Sequence, residues 1–264
     1  MSHLEYPDAA SLDARVKLHE ECSLNRYGWQ RWVMDHIKPH LRGRVLEVGT
    51  GPAYLWVENV ARAPGDLQLV LSDRSVGMLI DARIRLQQAG LTADWVECDG
   101  RALPYSEGSF DLVIANHLLF LLRDPEVGVS ELARVTYPGG SLCATTNHRD
   151  HLQELIELLI ELEPVHYGHL REDEIMLRRE RFNFVSGTEL LLPYFEDVEL
   201  ITYKDGLEVD RVEVLEPWAE YWANPVLDSG ARERVVQGLS ERIAREGALR
   251  IRKNSGMFIA SRKT

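Results

Sequence analysis

The chain has 264 residues and a formal net charge of −12, with no local basic patch; this length suits one large domain or a core with an elaborated cap, and the negative field disfavours nucleic acid as a partner. No apolar run is long enough to cross a bilayer, and the opening MSHLEYPDAASLDARVK lacks the basic patch and apolar core of a secretory signal. Cys22, Cys98 and Cys143 form no CxxC pair, so a cytoplasmic protein with reduced, mostly buried thiols is expected.

Residues 11–38 show helical spacing of apolar residues, interrupted at Asn25–Gly28. RVLEV reads as a first strand, and AYLWVENVARA as a helix opened by Pro52. LQLVLSD is a second strand, followed by the helix SVGMLIDARIRLQQAG, closed by Gly90. ADWVECD is a third strand and SFDLVIANH a fourth. The helix DPEVGVSELARVTY then stops at PGG, and SLCATTN is the fifth strand.

Such alternation predicts an α/β fold: a doubly wound, mostly parallel, Rossmann-like sheet covered on both faces. Ligands of these sheets bind at the C-terminal strand ends, near the switch point. After residue 150 the rhythm changes. HLQELIELLIELEPVHYGHLREDEI reads as helical, FEDVELITYKD and SGMFIASRK as a strand pair bringing the sheet to seven with an antiparallel last strand, and residues 215–247 as helical again. One domain follows. Residues 1–40 form an N-terminal helical cap segment, 41–150 a cofactor-binding core, and 151–264 cap helices and the terminal strand pair.

The stretch LEVGTGPAYLW, from Leu46, carries the chemistry. A dinucleotide fingerprint needs a third glycine where Tyr54 stands, and Glu47 would repel a pyrophosphate at that turn. The lysine and hydroxyl of a P-loop are absent. Asp73, ending strand two, suits a ribose diol. Asp99, ending strand three before Gly100, suits an exocyclic adenine amine. Acids ending three successive strands describe a nucleoside carrying an amine and a cation, of which S-adenosylmethionine (SAM) is one.

VLEVGTGPA, LSDRS, ECDGRALPYSEGSFDLVIANHLL, LARVTYPGG and SLCATTNHRDHL, taken in order, resemble the class I SAM-dependent methyltransferases of the small-molecule branch. The resemblance is close over residues 40–150 and looser over SLNRYGW and the final strands. It implies methyl transfer from SAM to a small acceptor. By it, Glu47, Gly49 and Gly51 approach the methionine moiety, Asp73 the ribose, and Asp99 and Gly100 the adenine. Met78 lies against the adenine face and Asn116 near the sulfur. Leu121 stands where many relatives carry a histidine, so no role for that histidine carries over.

His117 and His148, past strands four and five, are the candidate bases, or else polar strand-end and loop residues. Tyr27 is a candidate cofactor contact and Trp29 a candidate acceptor contact, or both are core aromatics. Asn147, His117, His166, Trp218 and Tyr221 complete the candidate acceptor wall; cap packing is the alternative for the aromatic residues. Asp73 doubles as a possible helix cap. Glu163, His166 and His169 crowd together, but Pro164 and Gly168 interrupt any helix there, so no metal is expected. The rival readings are a non-catalytic or regulatory SAM-binding protein, a nicotinamide oxidoreductase and a methyltransferase acting on protein. The sequence selects neither an O, N or C acceptor nor an oligomeric state.

Overall fold

The computed structural model describes residues 9–171 and 180–264. Its helices, numbered in chain order, begin with α1 (Ala10–Cys22) and α2 (Trp29–Ile37). They are separated where expected, by a turn whose Gly28 has φ 92°. The strands β1 (Arg44–Val48), β2 (Gln68–Asp73), β3 (Asp94–Glu97) and β4 (Phe110–Asn116) follow, with α3 (Tyr54–Val57) and α4 (Val76–Ala89) between them. The helix expected after Pro52 is only this short α3, followed by a 3-10 turn at Val60–Arg62. Asn59 ends the first turn by donating its side-chain amide to the Leu55 carbonyl.

Next come α5 (Pro125–Val135), β5 (Thr136–Asn147), α6 (Gln153–Leu162), α7 (Pro164–Tyr167), α8 (Ser186–Leu191), β6 (Phe195–Val209), α9 (Glu216–Trp222), α10 (Ser229–Glu246) and β7 (Leu249–Arg262). Two boundaries differ from expectation. β5 starts before the PGG stop, with a register shift against β4. β6 and β7 both extend toward the cap beyond the expected runs. The end of the helical run read over residues 151–175 and the N-terminal eight residues lie outside the described residues.

The strands form one seven-stranded sheet in the order β3-β2-β1-β4-β5-β7-β6. β7 runs antiparallel to both neighbours, and the other pairings are parallel. The order reverses between β1 and β4, which opens the crevice at their C-terminal ends. Two core clusters sandwich the sheet: Val45, Leu71, Ile114 and Met257 on the α2–α3 face, and Leu46, Val113, Leu142 and Phe258 on the α5–α8 face. A third cluster joins α1, α6, α9, α10 and the extended ends of β6 and β7. That third core is the cap. α10 presents Ala231, Val235, Leu239 and Ile243 to it, one apolar stripe on a helix whose other faces are charged.

Candidate active site

β1 is buried on both faces and ends at Val48, so the chain must turn where backbone groups are scarce in partners. Gly49 and Gly51 have φ of 70° and 53°, the left-handed region where a side chain is strained. Gly49 and Thr50 donate their N–H groups to the Ser72 carbonyl, at 2.8 and 2.9 Å. A Cβ on Gly49 would lie 2.7 Å from Leu118 Cδ1. Beneath the turn, Glu47 is 2% exposed. Its carboxylate accepts from Thr50 Oγ1 at 2.9 Å, Trp56 Nε1 at 2.7 Å and Asn116 Nδ2 at 2.7 Å. Burial nevertheless pushes the Glu47 carboxyl up to about 7, against those three donors, with Asp73 adding repulsion.

Asp73 closes β2 with Oδ2 on the glycine turn and Oδ1 on the start of α4. It accepts from the Gly51 N–H at 2.9 Å and from the Ser75 N–H at 2.9 Å. The helix cap of α4 is Ser75, whose hydroxyl takes the N–H of buried Met78. Asp73 therefore does not cap α4 but braces the Ser75 backbone before it; two lone pairs are engaged and the rest remain available. Asp99 is held by Arg101 in a two-pronged pair, Nη2 to Oδ2 at 2.7 Å, and its carboxyl lies below the usual range through that hydrogen-bonded guanidinium. Gly100 packs tightly under Val48 and Leu118.

Beyond β4, Asn116 has one amide atom on Glu47, while its Oδ1 is enclosed without a partner. His117 follows with φ 48°, an uncommon backbone state for a residue with a side chain. Its N–H is fixed on Thr145 Oγ1 at 2.9 Å. The imidazole packs 5.2 Å from Trp29 and 6.1 Å from Phe120. Burial, then the nearby Lys253 ammonium, drives it down to about 4, so the ring is neutral at pH 7. Trp29 also meets Tyr203 edge-on at 5.3 Å. The side-chain oxygen of Asn147 accepts from Ser255 Oγ at 2.7 Å, and Ser255 in turn pairs with Tyr203 across β7 and β6.

The cap closes over this mouth. Leu12 of α1 reaches the vicinity of Gly51, and Asp13 binds Tyr54 and Arg85 across the turn. Further along α1, the Arg15 guanidinium lies 3.6 Å above the Tyr221 ring, and its carbonyl accepts from Trp218 Nε1 at 3.1 Å. At the end of α1, Ser23 Oγ joins the buried Lys253–Asp205 ion pair: it accepts from Lys253 Nζ at 2.6 Å and donates to Asp205 Oδ2 at 2.7 Å.

Three sequence candidates fall elsewhere. His148 lies beside Phe184 on a groove of about 470 Å³ at the β6–β7 ends, with Nδ1 2.6 Å from Asp150 Oδ1. Tyr203, Asp205 and Ser255 line the same groove, so it adjoins the His117 side through Tyr203. His166 is buried by Glu163, whose other oxygen accepts from Arg234 of α10 at 2.8 Å. That set ties α7 to α10. Tyr27 is 47% exposed, its hydroxyl on Asp35 and its ring under Arg31. Among the described residues no group of three or more His, Cys, Asp and Glu could hold a metal ion.

Residues 46–144 match the family model described as a methyltransferase domain. The demethylmenaquinone methyltransferase of Thermus thermophilus is 34% identical over 114 residues, 43% of this chain and 51% of that protein. Residues 46–144 are thus similar to the SAM-dependent methyltransferase domain. The chain spans about half the length of that curated relative. Among solved structures, the YcgJ protein of Bacillus subtilis superposes with a TM-score of 0.57 at 15% identity, covering 88% of this chain and 98% of that one. The [4+2]-cyclase SpnF superposes at 0.53 with 19% identity, covering 89% and 81%. At such identities the likeness is one of fold.

The residues around the turn fit SAM on three observations. Asn116 Oδ1 is an enclosed acceptor without a donor, Asp73 keeps free lone pairs at the switch point, and no phosphate-binding lysine lies in the turn. Sequence reasoning missed Trp56, Thr50 and Ser72, which hold Glu47 and the turn. The pair Thr50 and Trp56, three and nine residues past Glu47, was visible as donors close to a buried acid. Arg15, His19 and Lys253 were missed as well, and no local pattern marks them.

Proposed function

We propose that this chain transfers a methyl group from SAM to a small-molecule acceptor in the mouth between the β1–β4 crevice and the α1–α9 cap. The observation that carries the reading is the buried carboxylate of Glu47, anchored by three neutral donors beneath a glycine turn without a phosphate-binding lysine. A fixed cation beside that carboxylate would relieve its desolvation, whereas a phosphate would worsen it. SAM, when bound, supplies an activated methyl group on a sulfonium. Asp73 would hold the ribose, Asp99 and Gly100 the adenine, with Met78 against its face, and Asn116 the polar group nearest β4.

The protein's part is alignment and exclusion of water. α1 covers the turn, while Trp29, Tyr203 and Phe120 surround His117 with apolar faces. Neutral His117 has no side-chain hydrogen bond among the described residues, so its one bare ring nitrogen can accept a hydrogen bond from an acceptor hydroxyl, though at about 4 it is a weak base. An acceptor that is already nucleophilic needs only the positioning. His148 lines the adjoining groove with Tyr203, its ring against Phe184 and its Nδ1 on Asp150, and among the described residues makes no ring contact with His117 or Trp29. No helix among the described residues is long and apolar enough to cross a membrane.

Calorimetry with S-adenosylhomocysteine in chelator is expected to show one site per chain, and labelled SAM to yield a labelled small product from a metabolite extract. Absence of binding at millimolar ligand overturns the reading. A second reading is favoured by the SpnF likeness, since a cyclase shares the fold. It expects cofactor binding with an acceptor converted but no label transferred.

A further inference from the structure

α1 does more than cover the site, because it carries an imidazole into it. His19 stands in the middle of three groups of side chains. Its ring stacks on His151 of the turn after β5, with centroids 5.9 Å apart and planes at 26°. It meets Trp218 of α9 edge-on at 5.7 Å and 87°. On the remaining side are His117, Lys253 and Asp205, close enough to act on its proton affinity. Its Nδ1 is enclosed and has no hydrogen-bond partner. An enclosed nitrogen of that kind is unfavourable unless something arrives to bind it. Nothing in the packing of α1 demands a polar ring there: the nearest buried positions, Leu18 one residue before it and Cys22 three after, are apolar.

We propose that His19 is an acceptor-binding residue, its Nδ1 hydrogen-bonding a hydroxyl or ionised oxygen on a planar aromatic acceptor held between the cap rings and His117. This rests on the methyl-transfer reading above and names the acceptor class for that site. Ring walls set the planar shape: Trp218 and His151 on the cap side, Trp29 and Tyr203 on the sheet side. Charge sets the oxygen. Burial drives His19 down to about 3 and His117 to about 4, so both imidazoles enter the site neutral. The nearby charges are the Lys253 ammonium, already paired with Asp205, and the Arg15 guanidinium over Tyr221. A protonated amine would bring a like charge beside Lys253 and Arg15 and find no free carboxylate among these groups. An oxygen can accept from an imidazole N–H or donate to the bare nitrogen.

The test uses three matched steps on the full chain saturated with S-adenosylhomocysteine. The probes are 2-naphthol and 2-naphthylmethylamine, the latter protonated at pH 7, titrated by calorimetry. The naphthol is expected to bind at least about tenfold tighter than the amine, the scale of one hydrogen bond. His19→Phe keeps a ring and removes the nitrogen; it is expected to lose that advantage while S-adenosylhomocysteine binds as before. His19→Asn restores a polar atom at the δ position and is expected to recover most of it. Equal or tighter binding of the amine overturns the proposal, as does failure of both probes while S-adenosylhomocysteine binds. Unchanged naphthol affinity in His19→Phe overturns it as well. Failure of S-adenosylhomocysteine itself to bind overturns the methyl-transfer reading, and this inference with it.

Discussion

The cofactor half and the cap half assemble their polar groups over different chain distances. Glu47 meets partners three, nine and 69 residues away, Asp73 one at 22, and Asp99 one at two. In the cap, Trp218 reaches Arg15 across 203 residues, Ser23 reaches Asp205 across 182, and Lys253 reaches Ser23 across 230. The cofactor turn is thus a product of β1, β2 and their first turns. The acceptor mouth exists only when α1, β6, β7 and α9 are all in place. Substitutions in the cap should therefore separate acceptor behaviour from cofactor affinity, and substitutions in the turn should not.

The largest effect is expected at the join between the halves of the cap. Lys253 and Asp205 are 6% and 0% exposed at their side chains. Lys253→Met leaves the Asp205 carboxylate buried without its counter-charge and is expected to destabilise the chain by about 3–5 kcal/mol. Adding Asp205→Asn should recover much of this, because the unpaired charge goes too. Urea unfolding of the single and double variants checks both. A double variant no better than the single one would show that packing, not charge, makes the join.

Next is Glu47, where the direction of the pH effect can be fixed. Burial raises its carboxyl from 4.5 to about 7 in the folded chain, so the folded state holds the proton more tightly than the unfolded one. Its contribution is fully present below about 4.5 and is lost as pH rises through about 7, amounting to about 3 kcal/mol. Glu47→Gln removes that loss and should be the more resistant to urea at pH 8, relative to pH 5, by a comparable amount. The glutamine must also offer its NH₂ toward Asn116, whose amide then turns over and presents nitrogen where Oδ1 stood. S-adenosylhomocysteine affinity should therefore fall although stability at pH 8 does not. If stability and affinity fall together, the donors under the turn, not the charge, are what matter.

Asp73→Ala should weaken S-adenosylhomocysteine binding by about 1.5–3 kcal/mol, the loss of hydrogen bonds to a charged acceptor. Stability without ligand should drop by about 1 kcal/mol as well, since the Gly51 and Ser75 N–H groups lose their acceptor. Thermal melts and calorimetry on one preparation separate the two. Loss of stability alone would leave Asp73 as a structural brace.

The same contrast of distances explains what was legible in the sequence. The sheet, its strand ends and the three acids were readable because period, turn residues and strand ends are local signals. Strand β5 began earlier than expected because Thr136–Gly140 pairs irregularly beside β4, a bulge that Pro138 and two glycines masked as a stop. Trp29, Trp218 and Tyr221 could be picked out as aromatics, but only folding shows that Trp29 meets His117 while Trp218 and Tyr221 enclose Arg15. His19 was passed over because a histidine among charged residues on a helix reads as a solvated face. His148 was placed in the mouth because it follows a strand end. Its Nδ1 is held instead by Asp150 and its ring by Phe184, in the groove that Tyr203 shares with the Trp29 side.

The smallest effect belongs to Arg101, and it sharpens the cofactor side of the comparison. Asp99 was read as an adenine contact, yet its carboxylate is already gripped by Arg101 two residues on, a pair about one-third exposed on each side. Exposed pairs contribute about 0–1 kcal/mol, so Arg101→Gln should shift affinity for S-adenosylhomocysteine by about fivefold at most. The sign is informative. If the adenine amine must share the carboxylate with Arg101, removing the guanidinium frees both oxygens and binding tightens. If Arg101 instead holds the carboxylate in the orientation the amine needs, binding weakens, and Arg101→Lys, which retains charge but not the two-pronged grip, weakens it too. Asp99→Asn should lower affinity in both cases. Calorimetry at two salt concentrations tells these apart, since a shared charge is screened and a fixed geometry is not. If all three variants bind S-adenosylhomocysteine as the parent does, Asp99 and Arg101 form only a turn at the end of β3, and the adenine is recognised by backbone at Gly100 and by the apolar face at Met78.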